Sequence, residues 1–320
     1  MSVRAVIAAA ALVIICAPAA NADVLRGTVV SGASAVPVAN ASVALYAPAA
    51  HRARRIGVAR TDQRGRFAIA VPARRAVRYL VARADDRRVL VALLGRAAPR
   101  QVTVNELTTV AAAYATAQIA TGTAISGTGL QLTAASGMAA NLVSPSTGRA
   151  STVITSPPNG NETNAWRELG TLANVLVPCV RDAAACPDLL AATRARTTWS
   201  AMQAIARNPA RDVRRIFALG DRSHAFSPYL TARFGPDAPS RWTRLDAFTL
   251  AVKVNASGRT EGGAEVCPFG GAGNIAFDLD GNAWMTNNVV QGTPDSARCI
   301  IVLRPDGRPS DGHSGPVSPV

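Results

Sequence analysis

Four of the five cysteines have a number and spacing that indicate a specific chemistry. They are Cys179, Cys186, Cys267 and Cys299. Four cysteines can form two disulfides in three pairings, or they can bind zinc. We expect disulfides between Cys179 and Cys186 and between Cys267 and Cys299, because each pair shares one segment. No CxxC spacing typical of zinc sites occurs in the chain.

The N-terminal segment has the features of a secretory signal peptide, which would carry these cysteines to an oxidising compartment. Arg4 precedes an apolar run at residues 5–17, and residues 20–22 fit the small-x-small cleavage pattern. The run has thirteen residues, whereas a membrane anchor needs about 20. We therefore predict cleavage after Ala22 and a secreted or periplasmic protein without a transmembrane segment.

The arginines are the second group of residues with a chemical meaning. The net charge is +14, and residues 51–100 contain fourteen arginines against three aspartates. Such a surface attracts anionic polymers such as lipopolysaccharide or acidic glycans, and the alternative is solvated arginines on strand faces. This stretch has few aromatic residues that could stack on bases, which argues against nucleic acid. The candidate anion-binding residues are Arg52, Arg54, Arg55, Arg74, Arg75, Arg87 and Arg88.

Residues of the common catalytic motifs are few and scattered. His51, His224 and His313 lie in separate regions, and neither an HExxH nor a GxSxG motif occurs. Residues 221–224 combine an aspartate with His224, which solvated side chains explain better than catalysis. Asp278 opens a segment similar to a calcium loop that lacks the glutamate ligand at its twelfth position. The sequence predicts no cofactor, no metal and no catalytic residue, and it leaves enzymatic activity uncertain.

Residues 23–100 show the alternation of short strands. Apolar residues alternate at 41–46, where Val43 and Leu45 should face inward, and at 66–71, where Phe67, Ile69 and Val71 should do so. Further strands are expected at residues 24–30, 77–82 and 89–94. Several strands at short spacing favour a small antiparallel β-sandwich.

This segment resembles the carboxypeptidase regulatory-like, or transthyretin-like, module. The matching stretches are GTV at 27–29, PVANASVALY at 37–46 and TDQRGRFAI at 61–69. The resemblance implies a seven-stranded, non-catalytic sandwich that is appended to other domains and is sometimes compared with carbohydrate-binding folds.

A helical region is predicted for residues 101–219. A capping box at 103–106 precedes an alanine-rich helix at 107–119. A helical stripe from Trp166 to Leu176 predicts a long helix that Pro178 should end. We expect further helices at 130–143, after Cys186, at 199–207 and at 213–219, and a loop at 144–161. Trp166 and Trp199 lie on apolar stripes and are assigned to the core.

Strands are predicted again after a linker at residues 220–245. They are expected at 247–254, on both sides of an Asp-Gly turn in 275–285, and at 298–303. The stretches GNIAFD at 273–278, DGNAWMTN at 280–287 and IIVLRPDG at 300–307 resemble one blade of an NHL-type β-propeller, similar to those in virginiamycin B lyase-like proteins. With VTVNELTTVA at 102–111, the whole layout resembles a family of exported proteins of unassigned function.

The propeller resemblance is incomplete. A propeller needs about 4–8 blades, and residues 246–320 can form one blade and the start of a second. A single blade leaves strand edges uncovered. Either the chain is a truncated relative of a propeller protein, or this part packs on the helices or on another molecule. Oligomers could form through the uncovered edges.

The expected fold class is a multidomain α+β protein. It comprises a signal peptide (1–22), an antiparallel β-sandwich (23–100), a central helical bundle (101–219), a linker (220–245) and an incomplete β-propeller-like segment (246–320). The leading hypothesis for function is non-enzymatic binding or scaffolding at the cell envelope. Its partner would be envelope polysaccharide or another envelope protein, and not nucleic acid. The alternatives are a shortened relative of a propeller-type lyase or hydrolase, and an anionic-glycan or carbohydrate-binding module.

Overall fold

The computed structural model of the chain describes residues 23–50, 52–72, 76–96, 98–157, 159–253, 272–287 and 300–305. Several predicted features lie outside these residues, namely the signal peptide, His51, Arg74, Arg75, Cys267, Cys299 and His313.

The elements follow one another in an order that begins with strands, continues with helices and ends with strands. The strands are β1 (Asp23–Ser31), β2 (Val36–Pro37), β3 (Ser42–Ala47), β4 (Arg54–Arg60), β5 (Arg66–Val71), β6 (Arg78–Arg83), β7 (Val89–Leu94), β8 (Gln101–Val104), β9 (Ala120–Thr121), β10 (Ala124–Ile125), β11 (Val143–Ser144), β12 (Arg149–Ala150), β13 (Ala272–Phe277), β14 (Ala283–Asn287) and β15 (Ile300–Leu303). The helices are α1 (Glu106–Ala115), α2 (Gly129–Leu142), α3 (Thr152–Thr155), α4 (Asn159–Glu162), α5 (Ala165–Arg181), α6 (Cys186–Thr193), α7 (Thr198–Arg207) and α8 (Val213–Gly220).

The fold is mixed α+β with several antiparallel sheets, and among the described residues none of them closes into a barrel. In sheet A, β2 and β5 pair antiparallel with β1, and β8 pairs parallel with it. Sheet B is antiparallel in the order β4-β3-β6-β7, and sheet C has the order β13-β14-β15. Two-residue ladders join β9 to β10 and β11 to β12.

Sheets A and B share one hydrophobic core. The predicted inward residues of β3 and β5 are confirmed, since Val43, Leu45, Phe67, Ile69 and Val71 are all buried. Burial of a side chain of this size contributes about 1.5–3 kcal/mol. The sheets also meet at one edge, where a Cβ on Gly57 of β4 would lie 2.4 Å from the Cγ2 atom of Ile69 in β5.

The helices cover the β7 edge of sheet B. All six residues of β7 are buried, and α1 and α7 contact this strand. Val91 N–H donates to the hydroxyl of Thr109 in α1 (3.0 Å), and Val89 N–H donates to that of Thr198 in α7 (2.8 Å). Threonine side chains thus satisfy backbone groups that an exposed edge strand would leave open.

Helix α1 begins two residues later than the predicted capping box implies. Asn105 is its N-cap, and its side chain accepts from Thr108 N–H while the Thr108 hydroxyl accepts from Asn105 N–H. The prediction of a box at 103–106 is wrong because Thr103 belongs to β8, where it pairs with Thr28 of β1. The carboxyl group of Glu106 is therefore free to act elsewhere, as described below.

Helix α5 does not end at Pro178, contrary to the prediction, but continues to Arg181. A proline inside a helix removes one backbone hydrogen bond. The last turn is nevertheless held by packing, because Val177, Cys179 and Val180 are buried. The predicted Cys179–Cys186 disulfide is confirmed, with Cα atoms 4.4 Å apart. It joins the last turn of α5 to the start of α6.

The segment predicted as a linker at residues 220–245 packs against the helices. Phe226, Leu230 and Leu245 are buried members of the main core. The Asn174 side chain of α5 fixes Phe226 by donating to its carbonyl oxygen (3.0 Å) and accepting from its N–H (2.9 Å). This segment is irregular in backbone, but these contacts make it a part of the folded body.

The strand predicted at 247–254 is not present at residues 247–253. Its backbone groups bond to side chains instead of a neighbouring strand. Leu250 N–H donates to the carboxylate of Glu168, and the Asn159 amide forms two hydrogen bonds with the Lys253 backbone. The predicted loop at 144–161 likewise contains short elements, from β11 to α4.

One continuous core extends from Leu25 in sheet A to Leu250. The buried residues of sheet C, such as Met285 and Ile301, do not belong to it. Sheet C touches the rest of the chain through its β13–β14 turn, where a Cβ on Gly281 would lie 2.3 Å from the Cδ1 atom of Leu130 in α2. Among the described helices, none has the length and apolar character required to span a bilayer.

Candidate ligand-binding cleft

A cleft of about 430 Å³ lies between sheet A and the helices. One side is formed by β1 with its following turn and by β8 with the first turn of α1. The opposite side is formed by the β11–β12 hairpin, by Thr155, by Trp166 and Gly170 of α5, and by residues 226–228.

The floor of the cleft is the face of sheet A that points away from the core. Thr28 and Val30 alternate with the fully buried Val29 along β1, and Thr103 lies beside Thr28 in the parallel pair. Because side chains on a strand alternate between faces, Thr28, Val30 and Thr103 share the outer face. The alternation of side chains along β1 therefore decides which of its residues line the floor of the cleft.

The β11–β12 hairpin is fastened to the start of α1. The Asn105 side-chain amide donates to the Gly148 carbonyl oxygen (2.8 Å), and Thr103 N–H donates to the Pro145 carbonyl oxygen (2.9 Å). Gly148 has φ +65°, and a Cβ there would lie 2.6 Å from the Cγ2 atom of Thr103. This glycine allows the hairpin to approach the sheet, so the wall carrying Arg149 is held in a fixed place.

The wall formed by α5 and residues 226–228 is also closely packed. A Cβ on Gly170 of α5 would lie 2.1 Å from the carbonyl oxygen of Pro228. The Ser227–Pro228 peptide bond is cis, and Leu230 N–H donates to the Thr171 hydroxyl (2.8 Å). Trp166 at this wall is only partly buried. It therefore borders the cleft as well as the core to which the sequence assigned it, whereas Trp199 is fully buried as predicted.

A buried polar cluster lies beneath the turn that follows β1. The Ser31 hydroxyl donates to Glu106 (2.5 Å), Gly32 N–H donates to the other carboxyl oxygen (3.1 Å), and Arg181 Nε donates to the Ser31 hydroxyl (3.3 Å). Glu106 is fully buried, and loss of hydration raises the pKa of its carboxyl group above the ordinary value of 4.5. The cluster links sheet A, α1 and α5 behind the cleft.

The charge of the cleft comes from one side chain. Among the residues that line it, Arg149 is the one with a formal charge. Arg149 is exposed, and it forms no ion pair with the described residues. The hydroxyl groups of Thr28 and Ser227 likewise have no hydrogen-bond partner in the described part of the chain. These groups are available to a ligand.

No family model matches the chain. No curated protein has a significantly similar sequence. The assignment of a role therefore depends on the geometry of the chain itself.

The predicted anion-binding arginines are divided between opposite ends of sheet B. Arg54 and Arg55 pair with Ala47 and Tyr46 at one end of β4. Arg87 and Arg88 lie in the turn before β7, at the other end. A strand of seven residues spans about 20 Å, so these arginines do not form one cluster. Arg52 is exposed near the first group.

One of the predicted arginines, Arg88, has structural partners. Arg88 is partly buried, pairs with Asp85 (2.7 Å) and donates to the Val180 carbonyl oxygen (3.3 Å), which ties the turn to α5. Arg87 is exposed. A role of these arginines in binding anions stays a prediction.

The calcium-like segment forms a tight turn. Asp278 accepts hydrogen bonds from the N–H groups of Asp280 and Asn282, from the Asn282 amide and from the Trp284 indole N–H. The bond from Trp284, followed by that from the Asn282 side chain, lowers the pKa of Asp278 to about 2. The carboxylate thus organises the turn between β13 and β14.

The predicted acid–histidine pair lies on the surface. His224 Nε2 is 3.6 Å from Asp221, and the imidazole stacks on Tyr229. The pair is exposed and does not line the cleft.

Sequence reasoning missed the cleft because its residues come from six separate segments with no shared motif. The one available signal was the run of serines and threonines around Arg149.

Proposed function

We propose that the chain is a non-enzymatic binding protein of the cell envelope and that the cleft is its ligand site. The composition of the cleft supports this proposal. Its volume of about 430 Å³ falls within the range typical of small-molecule sites, which combine apolar walls with a few polar groups. The lining supplies threonine and serine hydroxyls, a tryptophan and one arginine. These groups hold and orient a ligand, whereas acid–base catalysis uses histidine or carboxylate side chains.

The envelope location is supported by the disulfide. Cys179 and Cys186 form a bond of the kind that persists in oxidising compartments. It is compatible with the proposed signal peptide and with a secreted or periplasmic protein.

We further propose that the two N-terminal sheets form the transthyretin-like sandwich and that β13–β15 form a blade of the NHL type. The alternation of β3 and β5 supports this assignment, as does the antiparallel pairing of β1 with β2 and β5 and of all strands in sheet B. Ile275 and Phe277 share one face of β13 and are 56% and 72% exposed. Adjacent blades cover such faces in a propeller, and a scaffolding role would use this surface.

A thermal-shift screen tests the proposal by comparing the unmodified protein with a variant whose cleft is filled by a larger side chain. In the Thr28→Trp variant, an indole would occupy the floor of the cleft. Val24→Trp is the matched control, because Val24 lies on the same face of β1, is 45% exposed and lies outside the cleft. The screened compounds would be monosaccharides, disaccharides, amino acids and organic acids.

A ligand at one hundred times its Kd stabilises the folded state by about 2.7 kcal/mol. We expect one class of compound to raise the Tm of the unmodified protein and of Val24→Trp by several degrees, with no effect on Thr28→Trp. The proposal is wrong if the hits stabilise Thr28→Trp equally, or if none of the compounds stabilises the unmodified protein.

A further inference from the structure

The charge in and behind the cleft favours an anionic ligand. Arg149 supplies an exposed guanidinium without an ion-pair partner among the described residues. The buried carboxyl group of Glu106 accepts hydrogen bonds from the Ser31 hydroxyl and from Gly32 N–H, and it is attracted by Arg181. A guanidinium binds a carboxylate or phosphate through two parallel hydrogen bonds, which makes it selective for such groups.

The remaining lining favours a ligand that carries both a ring and hydroxyl groups. Trp166 offers a partly buried aromatic side chain, and Phe226 and Pro228 extend the apolar surface beside it. The hydroxyls of Thr28 and Ser227 are available to donate and accept hydrogen bonds. A purely apolar acid would leave these hydroxyls without partners, which costs binding energy. A sugar ring satisfies both requirements, because it has apolar C–H faces and a polar rim.

We infer that the cleft binds an acidic saccharide, with its carboxylate paired to Arg149 and its ring against Trp166. This inference rests on the proposed function, since it names the ligand class of the same cleft. It moves the anion-binding role from the arginines of residues 51–100 to a single arginine in the β11–β12 hairpin.

Isothermal titration calorimetry on the purified protein tests this assignment with three compounds. Digalacturonate is the acidic saccharide, galactobiose is its neutral counterpart, and benzoate is an anion with a ring but without hydroxyls. Arg149→Gln removes the charge in the cleft, and Arg196→Gln is the matched control. Arg196 is exposed and does not line the cleft.

We expect digalacturonate to bind the unmodified protein at least about tenfold more tightly than either other compound. Arg149→Gln should weaken digalacturonate binding about tenfold or more and leave galactobiose binding unchanged, whereas Arg196→Gln should change neither. Raising the salt concentration should weaken digalacturonate binding to the unmodified protein. Because Arg149 is exposed, the circular dichroism spectrum and Tm of Arg149→Gln should match those of the control.

Other results overturn the inference and separate it from the proposed function. Equal affinity for galactobiose and digalacturonate would remove the role of charge. Tighter binding of benzoate would replace the saccharide with an aromatic acid. If none of the three compounds binds while other compounds stabilise the unmodified protein but not Thr28→Trp, the saccharide class is wrong and the cleft remains the ligand site.

Discussion

At the scale of single residues, Glu106 is notable because its carboxyl group is completely buried. It is fully buried at the first turn of α1, where Ser31, Gly32 and Arg181 surround it. Its hydrogen bonds fix the turn after β1, and this turn lines the cleft. The position of the residue therefore connects the stability of the N-terminal sheets to the shape of the ligand site.

The raised pKa of Glu106 predicts a pH dependence of stability with a definite sign. The folded state binds the proton more tightly than the unfolded state, so this group's contribution is fully present below pH 4.5 and is lost as pH rises through the folded-state pKa. In Glu106→Gln this titration is absent. Relative to that variant, the free energy of unfolding of the unmodified protein should fall between pH 4 and pH 8.

Urea unfolding at several pH values measures this difference. Asp246→Asn is the control, because Asp246 is exposed and forms no ion pair with the described residues, so its replacement should leave the pH dependence unchanged. The same pH dependence in the unmodified protein and in Glu106→Gln would contradict the prediction.

At the scale of elements, the connection between α5 and α6 is stabilised by a disulfide. Pro178 weakens the last turn of α5, and the disulfide from Cys179 to Cys186 holds that turn next to the following helix. Arg181, which bonds to Ser31, is the last residue of this turn. The disulfide therefore supports the buried cluster behind the cleft as well as the helix end.

Removing the disulfide should destabilise the protein by about 2–3 kcal/mol. The two cysteines are seven residues apart, and closing a loop of this length gives a value in this range in the chain-entropy model. Cys179→Ala/Cys186→Ala should show the loss in urea unfolding. The reductant dithiothreitol should lower the stability of the unmodified protein by more than that of the variant, which keeps Cys267 and Cys299. An equal effect on both would contradict the prediction.

At the scale of the whole molecule, the strand-rich and helix-rich parts depend on each other. β8 lies beyond the boundary predicted at residue 100 and pairs with β1. β7 is buried on both faces and at its edge, where α1 and α7 cover it. A fragment of residues 23–100 would expose this strand and lose β8.

We therefore expect residues 23–100 alone to lack a cooperative unfolding transition, whereas residues 23–253 should unfold in one transition. Urea unfolding monitored by far-ultraviolet circular dichroism compares the two fragments. Binding of a hydrophobic dye reports exposed apolar surface. A cooperative transition in the short fragment would show that the predicted boundary is correct.

Local patterns of the sequence determined several parts of this protein. The alternation in β3 and β5 identified the buried residues, because a strand places every second side chain on one face. The short spacing of Cys179 and Cys186 identified their disulfide. The Asp-Gly sequence identified the turn between β13 and β14, because the turn requires a positive φ that glycine adopts without strain. The φ of Gly281 is +81°. These features depend on residues that are close in the chain.

Only the tertiary structure decided the features that depend on distant residues. The absence of a strand at 247–253 and the packing of 220–245 follow from partners such as Asn159, Glu168 and Asn174, which come from other segments. The last turn of α5 depends on the burial of Val177, Cys179 and Val180. The cleft is the largest case, because its six segments meet only after folding. A local sequence pattern reports the conformation and burial of its own residues, whereas a binding site depends on which distant surfaces the fold places opposite one another.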